Sequence, residues 1–408
     1  MLLALDDTDS PSGGCTTFTA LELLHRAGLH LRSMPRLVRL NPNCPHKTRG
    51  NGAVVLDLAT PTGPRVTIGN WRGRPIEAFP DGDDPQVDPE LLWGMLRALA
   101  QPDADVAMAL ATEPLAPWAY GAAVSTEMNR EEARAALRGT WFLGGQGLVG
   151  CAGALSWPGP ATSYEWIAYR EPSRWGTPRT VHAEPLLNLP ETFHTSEGGR
   201  LTCVPNTPCP VLMGLRSKEP EPLVDAMGAA NQAAGEPVAG WCIWATNQAS
   251  GDHVVPVTQL EEAPTWGTIE VPLTIATEPT SAPGGVACVQ ARDETGQVVD
   301  LVAFEPTKAF RHAVWNLRAD DQVVATGAYQ DAAMHLESLR LVAPVPAKDA
   351  NPTCCDRPMK SKGTGAGYRC KTCGKTAPEQ AASQVERIPG AWEVPVSARR
   401  HLHRPLAW

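Results

Sequence analysis

Three carboxylates stand within four residues near the amino terminus, Asp6, Asp7 and Asp9, with Thr8 among them. Carboxylates this close repel one another unless a cation lies between them. Mg2+ is the hard cation that takes one or two carboxylates and leaves its other positions to substrate phosphates. A solvated acidic turn is the plain structural reading of the same residues. The flanking sequence favours the metal. Leu2, Leu3, Ala4 and Leu5 form a short apolar run suited to a buried strand. Ser10-Pro11-Ser12-Gly13-Gly14 is turn material, after which Phe18, Leu21 and Leu24 recur at helical spacing and Gly28 suits a C-cap. Acidic groups at a strand end thus face a Gly-rich turn and a helix start, a common place for a phosphate and its metal. Thr16 and Thr17 lie near that helix start. They are either caps or hydroxyls that touch, or accept, a phosphoryl group.

A second polar stretch runs from Asn41 to Gly52, between two expected strands, Val38–Leu40 and Ala53–Leu58. It is long for a hairpin loop, and such loops more often have a role than a packing reason. Lys47 and Arg49 offer cations that could clamp phosphate, and Gly50 and Gly52 would let a ligand approach the backbone. A basic surface loop is the bland alternative. A third cluster lies near the carboxyl end, where Cys354-Cys355 precede Cys370-x-x-Cys373-Gly374. The second pair has the spacing of a zinc knuckle. Adjacent cysteines point apart more readily than a C-x-x-C pair, so His401 or His403 is a possible substitute ligand. Trp241, Trp244, Trp266 and Trp315 offer faces on which unpaired bases could stack, although tryptophan is more often core.

The elements that must carry these groups suggest several units. A chain of 408 residues, 43% hydrophobic and 19% charged, can bury more than one core and fits roughly two to four domains. No apolar run approaches the ~18 residues of a membrane span, and the acidic start is no secretory signal. Eleven scattered cysteines fit a cytoplasmic protein better than a disulfide scaffold. Net charge is −9, yet residues 351–408 hold ten Lys/Arg against four Asp/Glu, and no acid interrupts Arg32, Arg36, Arg39, Lys47 and Arg49. Local basic surface, not net charge, attracts nucleic acid. Helices are expected over Glu90–Ala100, Glu131–Leu137 and Pro220–Ala234, and a strand over Tyr164–Arg170. Short strands from Thr268 to Thr326, with a helical insert at Lys308–Leu317, match a small OB-fold barrel.

Read in order, these motifs resemble the archaeal tRNA(Ile) 2-agmatinylcytidine synthetase (tRNA(Ile) agmatidine synthase) family. The carrying residues are Asp6-Asp7-Thr8-Asp9-Ser10 with Cys15-Thr16-Thr17, Asn41-Pro42 with Lys47-Thr48-Arg49-Gly50-Asn51-Gly52, and Tyr164-Glu165 with Ile167–Arg170. Others are Thr246-Asn247-Gln248 with Asp252-His253, Phe304–Lys308 with Phe310-Arg311, Tyr368-Arg369-Cys370, and Arg399-Arg400-His401-Leu402 with Pro405-Leu406. The match runs nearly end to end. Two departures are Val286 where the family usually has a histidine, and the contracted Cys354-Cys355 knuckle.

The resemblance implies an α+β multidomain protein. Its expected units are a kinase-like catalytic domain (1–138), a ferredoxin-like domain (139–260), an OB-fold (262–346), and a C-terminal zinc ribbon with a basic tail (350–408). It implies an ATP-dependent ligase that joins agmatine to C2 of cytidine 34 in the CAU anticodon of tRNA(Ile). The C2 oxygen is phosphorylated and then displaced, giving AMP and phosphate, so that AUA is decoded. Asp6, Asp7, Asp9 and Thr16 would be catalytic, Thr16 matching the threonine the family autophosphorylates. Asp7 and Asp9 would hold Mg2+. Thr8, Thr17, Lys47, Thr48, Arg49, Gly50 and Asn51 would hold ATP, and Cys354, Cys355, Cys370 and Cys373 would hold Zn2+. The partners would be the tRNA and agmatine, with no membrane and no obligate protein partner. The alternatives are a non-catalytic RNA-binding protein built from OB-fold and ribbon, or a different ATP-dependent RNA-modifying enzyme. The acidic cluster separates them, because a pure binder has no use for carboxylates that repel phosphate.

Overall fold

The structure is a computed structural model that describes residues 1–187, 189, 196–197, 200–363, 365–378, 383–385 and 387–408. Its first strand, β1 (Leu2–Asp6), runs through the body of an 11-stranded sheet, antiparallel to Gly52–Ala59 on one side and Ala107–Ala111 on the other. Both faces of β1 are apolar, so alternate side chains enter different cores. Leu3 and Leu5 pack with Leu21 and Leu24 of the first helix, α1 (Thr16–Ala27), and with Leu92 and Leu96 of Pro89–Leu99. Leu2 and Ala4 pack with Ala119, Ala123, Ala152 and Leu155 of the helices Trp118–Ser125 and Leu148–Leu155. Gly28 closes α1 at φ 65°, where a side chain would be strained.

The same sheet continues without a break into the expected second unit. Val238–Thr246 pairs with Ser163–Arg170 on one edge, and with Val66–Trp71 and Arg36–Arg39 on the other. Val211–Ser217 forms the outer strand. Trp244 is fully buried in this sheet's core, while Trp241 stacks on Trp166 at 6.1 Å. These two tryptophans therefore pack the sheet and do not stand on the barrel as stacking platforms. Buried beside them, Arg170 bonds the Glu236 carboxylate, the Thr177 carbonyl at 2.9 Å and the Thr177 hydroxyl at 3.0 Å. Glu236→Ala leaves that guanidinium buried without its counter-charge and is expected to cost about 3–5 kcal/mol, read as a lower urea midpoint.

A second sheet of eight strands follows. Thr268–Ile275 pairs with Gln322–Gln330 and also reaches Val286–Arg292, which closes the sheet into a barrel around Ile269, Val289, Leu301 and Val323. The expected insert is the helix Phe310–Trp315, which packs on this core. Gly390–Glu393 returns from the carboxyl end to pair with Ala333–Ala343. Among the described residues no helix is long and apolar enough to cross a membrane.

Between barrel and returning strand lie short hairpins that bring Cys354, Cys355, Cys370 and Cys373 together, their sulfurs within 4.8 Å of one another. Cys355 and Asp356 adopt φ 52° and 57°. This left-handed turn swings the second of two adjacent cysteines back toward the first, so the contracted knuckle still presents both thiols. Backbone N–H groups of Cys373 and Thr372 lower the pKa of the Cys370 thiol, the direction that favours a thiolate ligand. His401 and His403 are not the substitutes considered from sequence. His403 lies between Glu337 (3.3 Å) and Glu393 (2.8 Å), and His401 contacts Gln248.

Candidate active site

A cavity of about 430 Å³ opens beyond the end of β1. Asp6, Asp7 and Asp9 line it, with Thr16 and Thr17 from the start of α1 and residues 47–51 of the long polar loop. The two candidate motifs read from the sequence therefore meet in one place. Asp7 sits at φ 54°, a conformation that Asp tolerates better than most residues, and this turns the chain away from the sheet. The Thr8 hydroxyl donates to Thr16 Oγ1 at 3.3 Å, and Thr48 Oγ1 lies 3.5 Å from Asp7 Oδ1. Thr17 Oγ1 contacts the Cys15 sulfur at 3.0 Å.

The cationic loop residues are partly committed. Arg49 binds the Asp9 carboxylate and the carbonyls of Ser10, Gly13 and Gly14 at 2.7, 3.1 and 2.9 Å, so it staples the acidic turn. Lys47 donates to the Pro42 carbonyl, and burial pushes its ammonium below the usual range. Asn51 donates to the Asn41 carbonyl at 2.8 Å and holds the two ends of the loop together.

The carboxylates are crowded. Burial raises Asp6 well above its ordinary value, and Asp7 and Asp9 add to this by repulsion. Burial, with Asp9 and Asp105, pushes Asp7 up to about 6. Burial also raises Asp9, against the pull of Arg49. Asp105 was not singled out in the sequence. It accepts the Gln146 backbone N–H at 2.8 Å and so ties the acidic cluster to the segment leading into the Leu148–Leu155 helix. Gly150 of that helix faces Asp6 so closely that a Cβ there would collide with its carboxylate.

The opposite wall comes from distant parts of the chain. Glu165 accepts from Arg216 Nε at 3.1 Å, from Arg39 Nη2 at 3.5 Å and from Gln248 Nε2 at 2.5 Å. Burial alone would raise its pKa, but these guanidinium groups hold it below the usual carboxylate range. His401 completes the wall, its Nδ1 3.1 Å from Gln248 Oε1. The carboxyl-terminal tail that carries it is seated by bonds from Ala249 N–H to the His401 carbonyl (2.9 Å) and from Gly251 N–H to the Leu402 carbonyl (2.8 Å). Taken together, the cavity offers crowded carboxylates for a divalent cation, hydroxyls at a helix start for a phosphoryl group, and a polar wall for a second substrate.

Family models described as the TiaS TCKD domain, the TiaS FLD domain and the TiaS C-terminal zinc ribbon domain match residues 2–141, 145–253 and 351–388. The chain is 33% identical to the tRNA(Ile) 2-agmatinylcytidine synthetase TiaS of Methanosarcina mazei, covering 100% of this chain and 97% of that protein. It is similar to the crystal structure of a complex of TiaS with tRNA(Ile) and ATP, with TM-score 0.80 and 31% identity over 100% of this chain and 96% of the other. A complex of TiaS with tRNA(Ile), AMPCPP and agmatine is similar at TM-score 0.77 and 28% identity, with the same coverage.

Proposed function

The chain belongs to the tRNA(Ile) 2-agmatinylcytidine synthetase (TiaS) family, and from that premise we propose that it is the ATP-dependent ligase that joins agmatine to cytidine 34 of tRNA(Ile). A ring carbonyl oxygen is a poor leaving group, so an amine cannot displace it directly. Phosphorylation of the C2 oxygen turns it into phosphate, which leaves readily. ATP ends as AMP and two phosphates, one carrying away the C2 oxygen and the other formed with a water, and the modified base pairs with adenosine, so AUA is read as isoleucine. The enzyme works in the cytoplasm. One observation carries this reading: the acidic end of β1, the Thr16 hydroxyl and the 47–51 loop line one cavity with a polar wall built from the second unit and the tail.

Within this reading, residues 1–138 form the kinase-like catalytic unit, 139–260 the ferredoxin-like unit, 262–346 an OB-fold, and 350–408 the ribbon and tail. Asp6, Asp7, Asp9 and Thr16 perform the phosphoryl chemistry. Thr8, Thr17, Lys47, Thr48, Arg49, Gly50 and Asn51 surround the nucleotide, and Arg49 acts mainly by fixing the Asp9 turn. Asp7 and Asp9 would hold Mg2+, and the donor set fits, because carboxylates raised by burial and mutual repulsion gain most from a divalent charge. Bound there, Mg2+ would neutralise phosphate charge. An extruded cytidine and the amine must then be held side by side in the same cavity.

The direct test incubates the protein with ATP, agmatine and unmodified tRNA(Ile), digests the RNA and weighs nucleoside 34. A gain of agmatine less water is expected, and an unchanged cytidine would overturn the assignment. The metal has its own signature. Because the fold raises Asp7 from 3.8 to about 6, ionising it costs the folded state stability as pH climbs between those values. Mg2+ should offset that cost. The rise in melting temperature on adding Mg2+ is therefore expected to be larger above about pH 6 than below it, measured by thermal unfolding with and without the ion.

A further inference from the structure

His401 reaches the cavity from the last few residues of the chain, and its hydrogen bonds fix which of its nitrogens carries the proton. Glu165 is held as a carboxylate by Arg216 and Arg39 and can only accept. Gln248 must therefore turn its NH2 toward Glu165, where Nε2 sits 2.5 Å from Oε2. That leaves Gln248 Oε1 facing His401 Nδ1 at 3.1 Å, and an amide oxygen accepts only, so Nδ1 carries the hydrogen. Arg216 Nη2 also approaches Nδ1, at the longer distance of 3.4 Å, while its Nε bonds Glu165. The shorter contact, anchored on the carboxylate, decides the tautomer. Nε2 is then a bare lone pair. Among the described residues it makes no hydrogen bond, and it lies beside Gly50, where an added Cβ would sit 3.3 Å from it.

We propose that His401 is the general base of the amine-transfer step, taking through Nε2 the proton that agmatine's nitrogen sheds as it attacks C2. This deepens the function proposed above and rests on it. The nitrogen–C2 bond forms from the neutral amine. The C2–oxygen bond breaks, its electron pair leaving with the phosphate. The proton passes from nitrogen to Nε2 and then to the departing phosphate, so the imidazole ends neutral. The groups facing His401 are Arg39, Arg216 and Arg400, with Glu165 behind Gln248. Arg39 foremost, then burial and the other two arginines, hold the imidazole well below its usual range, which keeps it unprotonated at neutral pH. Glu165 and Gln248 are positioning residues in this scheme.

The test separates the two half-reactions. Phosphate-labelled ATP and tRNA without agmatine report phosphorylation of the RNA. Agmatine added to that RNA in a single turnover reports transfer. His401→Gln and His401→Ala are expected to lose about 10²–10⁴-fold in transfer, a far larger loss than either shows in phosphorylating the RNA. Added imidazole should restore part of the His401→Ala rate. The extra acid-side fall that protonating the imidazole adds to the wild-type transfer profile should be missing in His401→Gln, which keeps only the dependence set by ionisation of agmatine's amine. Transfer within a few-fold of wild type, no rescue with an unchanged pH profile, or phosphorylation lost together with transfer would each overturn the proposal. If wild-type protein itself never phosphorylates the RNA, the parent reading fails, an outcome visible before any variant is made.

Discussion

Asp7→Asn is expected to stop agmatine incorporation, lowering the single-turnover rate by about 10³-fold or more, while tRNA affinity stays as in the wild type. The substitution keeps the shape of the side chain and suits the left-handed turn at φ 54°, because Asn tolerates that conformation as Asp does. The charge is removed, and one acceptor oxygen becomes an NH2 donor. Loss of one well-placed electrostatic contact at a transition state costs roughly 10²–10³-fold, and a carboxylate that orders both cation and phosphate costs more. Stability should move the other way. Asp7 is raised to about 6 by burial and by Asp9 and Asp105. Removing its charge relieves that repulsion, so the metal-free variant should melt above the wild type at neutral pH and lose most of its response to Mg2+. Higher stability with lost activity is hard to produce by a folding defect. Full activity in Asp7→Asn would remove the acidic turn from the chemistry, and a matching loss of tRNA binding would mean that this turn grips RNA instead.

How much of this was legible in the sequence follows from contact distance along the chain. Asp6, Asp7, Asp9 and Thr16 belong to one strand–turn–helix, so spacing alone placed them together, and the 47–51 loop reaches them from the next hairpin of the same sheet. The opposite wall had no such local signal. Arg39 and Glu165 are 126 residues apart, Glu165 and Gln248 are 83 apart, and Gln248 and His401 are 153 apart. Each looks like an ordinary surface polar residue until the sheet brings them together. The family resemblance quoted the motifs around Glu165, Gln248 and His401, yet gave those three no site role. Trp244 shows the opposite error, since its β-strand neighbours and full burial make it core. Cys354-Cys355 was legible as a cluster but not as a geometry, because the left-handed turn at Cys355 and Asp356 cannot be read from spacing.

That same turn makes the ribbon depend on its metal. The buried apolar residues of its described part are Met359, Tyr368 and Cys370, with Cys354 and Ala377 packed against them, and the strands that carry the cysteines, between Thr353 and Ala377, are two residues long. So little apolar area cannot offset the entropy of ordering the hairpins, whereas structural zinc supplies about 10–16 kcal/mol in small zinc-binding folds. Chelation, or Cys370→Ser, is therefore expected to unfold the ribbon alone and release about one zinc per chain. The barrel and the 11-stranded sheet have their own cores and should remain folded. The ribbon carries exposed cations at Lys360, Lys362, Arg369, Lys371 and Lys375. Unfolding scatters them, so tRNA affinity should fall about 10–100-fold at moderate salt, with a shallower salt dependence as phosphate contacts are lost. At saturating tRNA the rate of RNA phosphorylation should recover, because the acidic cavity is built without the ribbon. If the zinc-free protein binds tRNA as tightly as before with the same salt slope, the ribbon is no part of the grip. If phosphorylation stays absent at any tRNA concentration, the ribbon must act on the cavity itself and not only on RNA affinity.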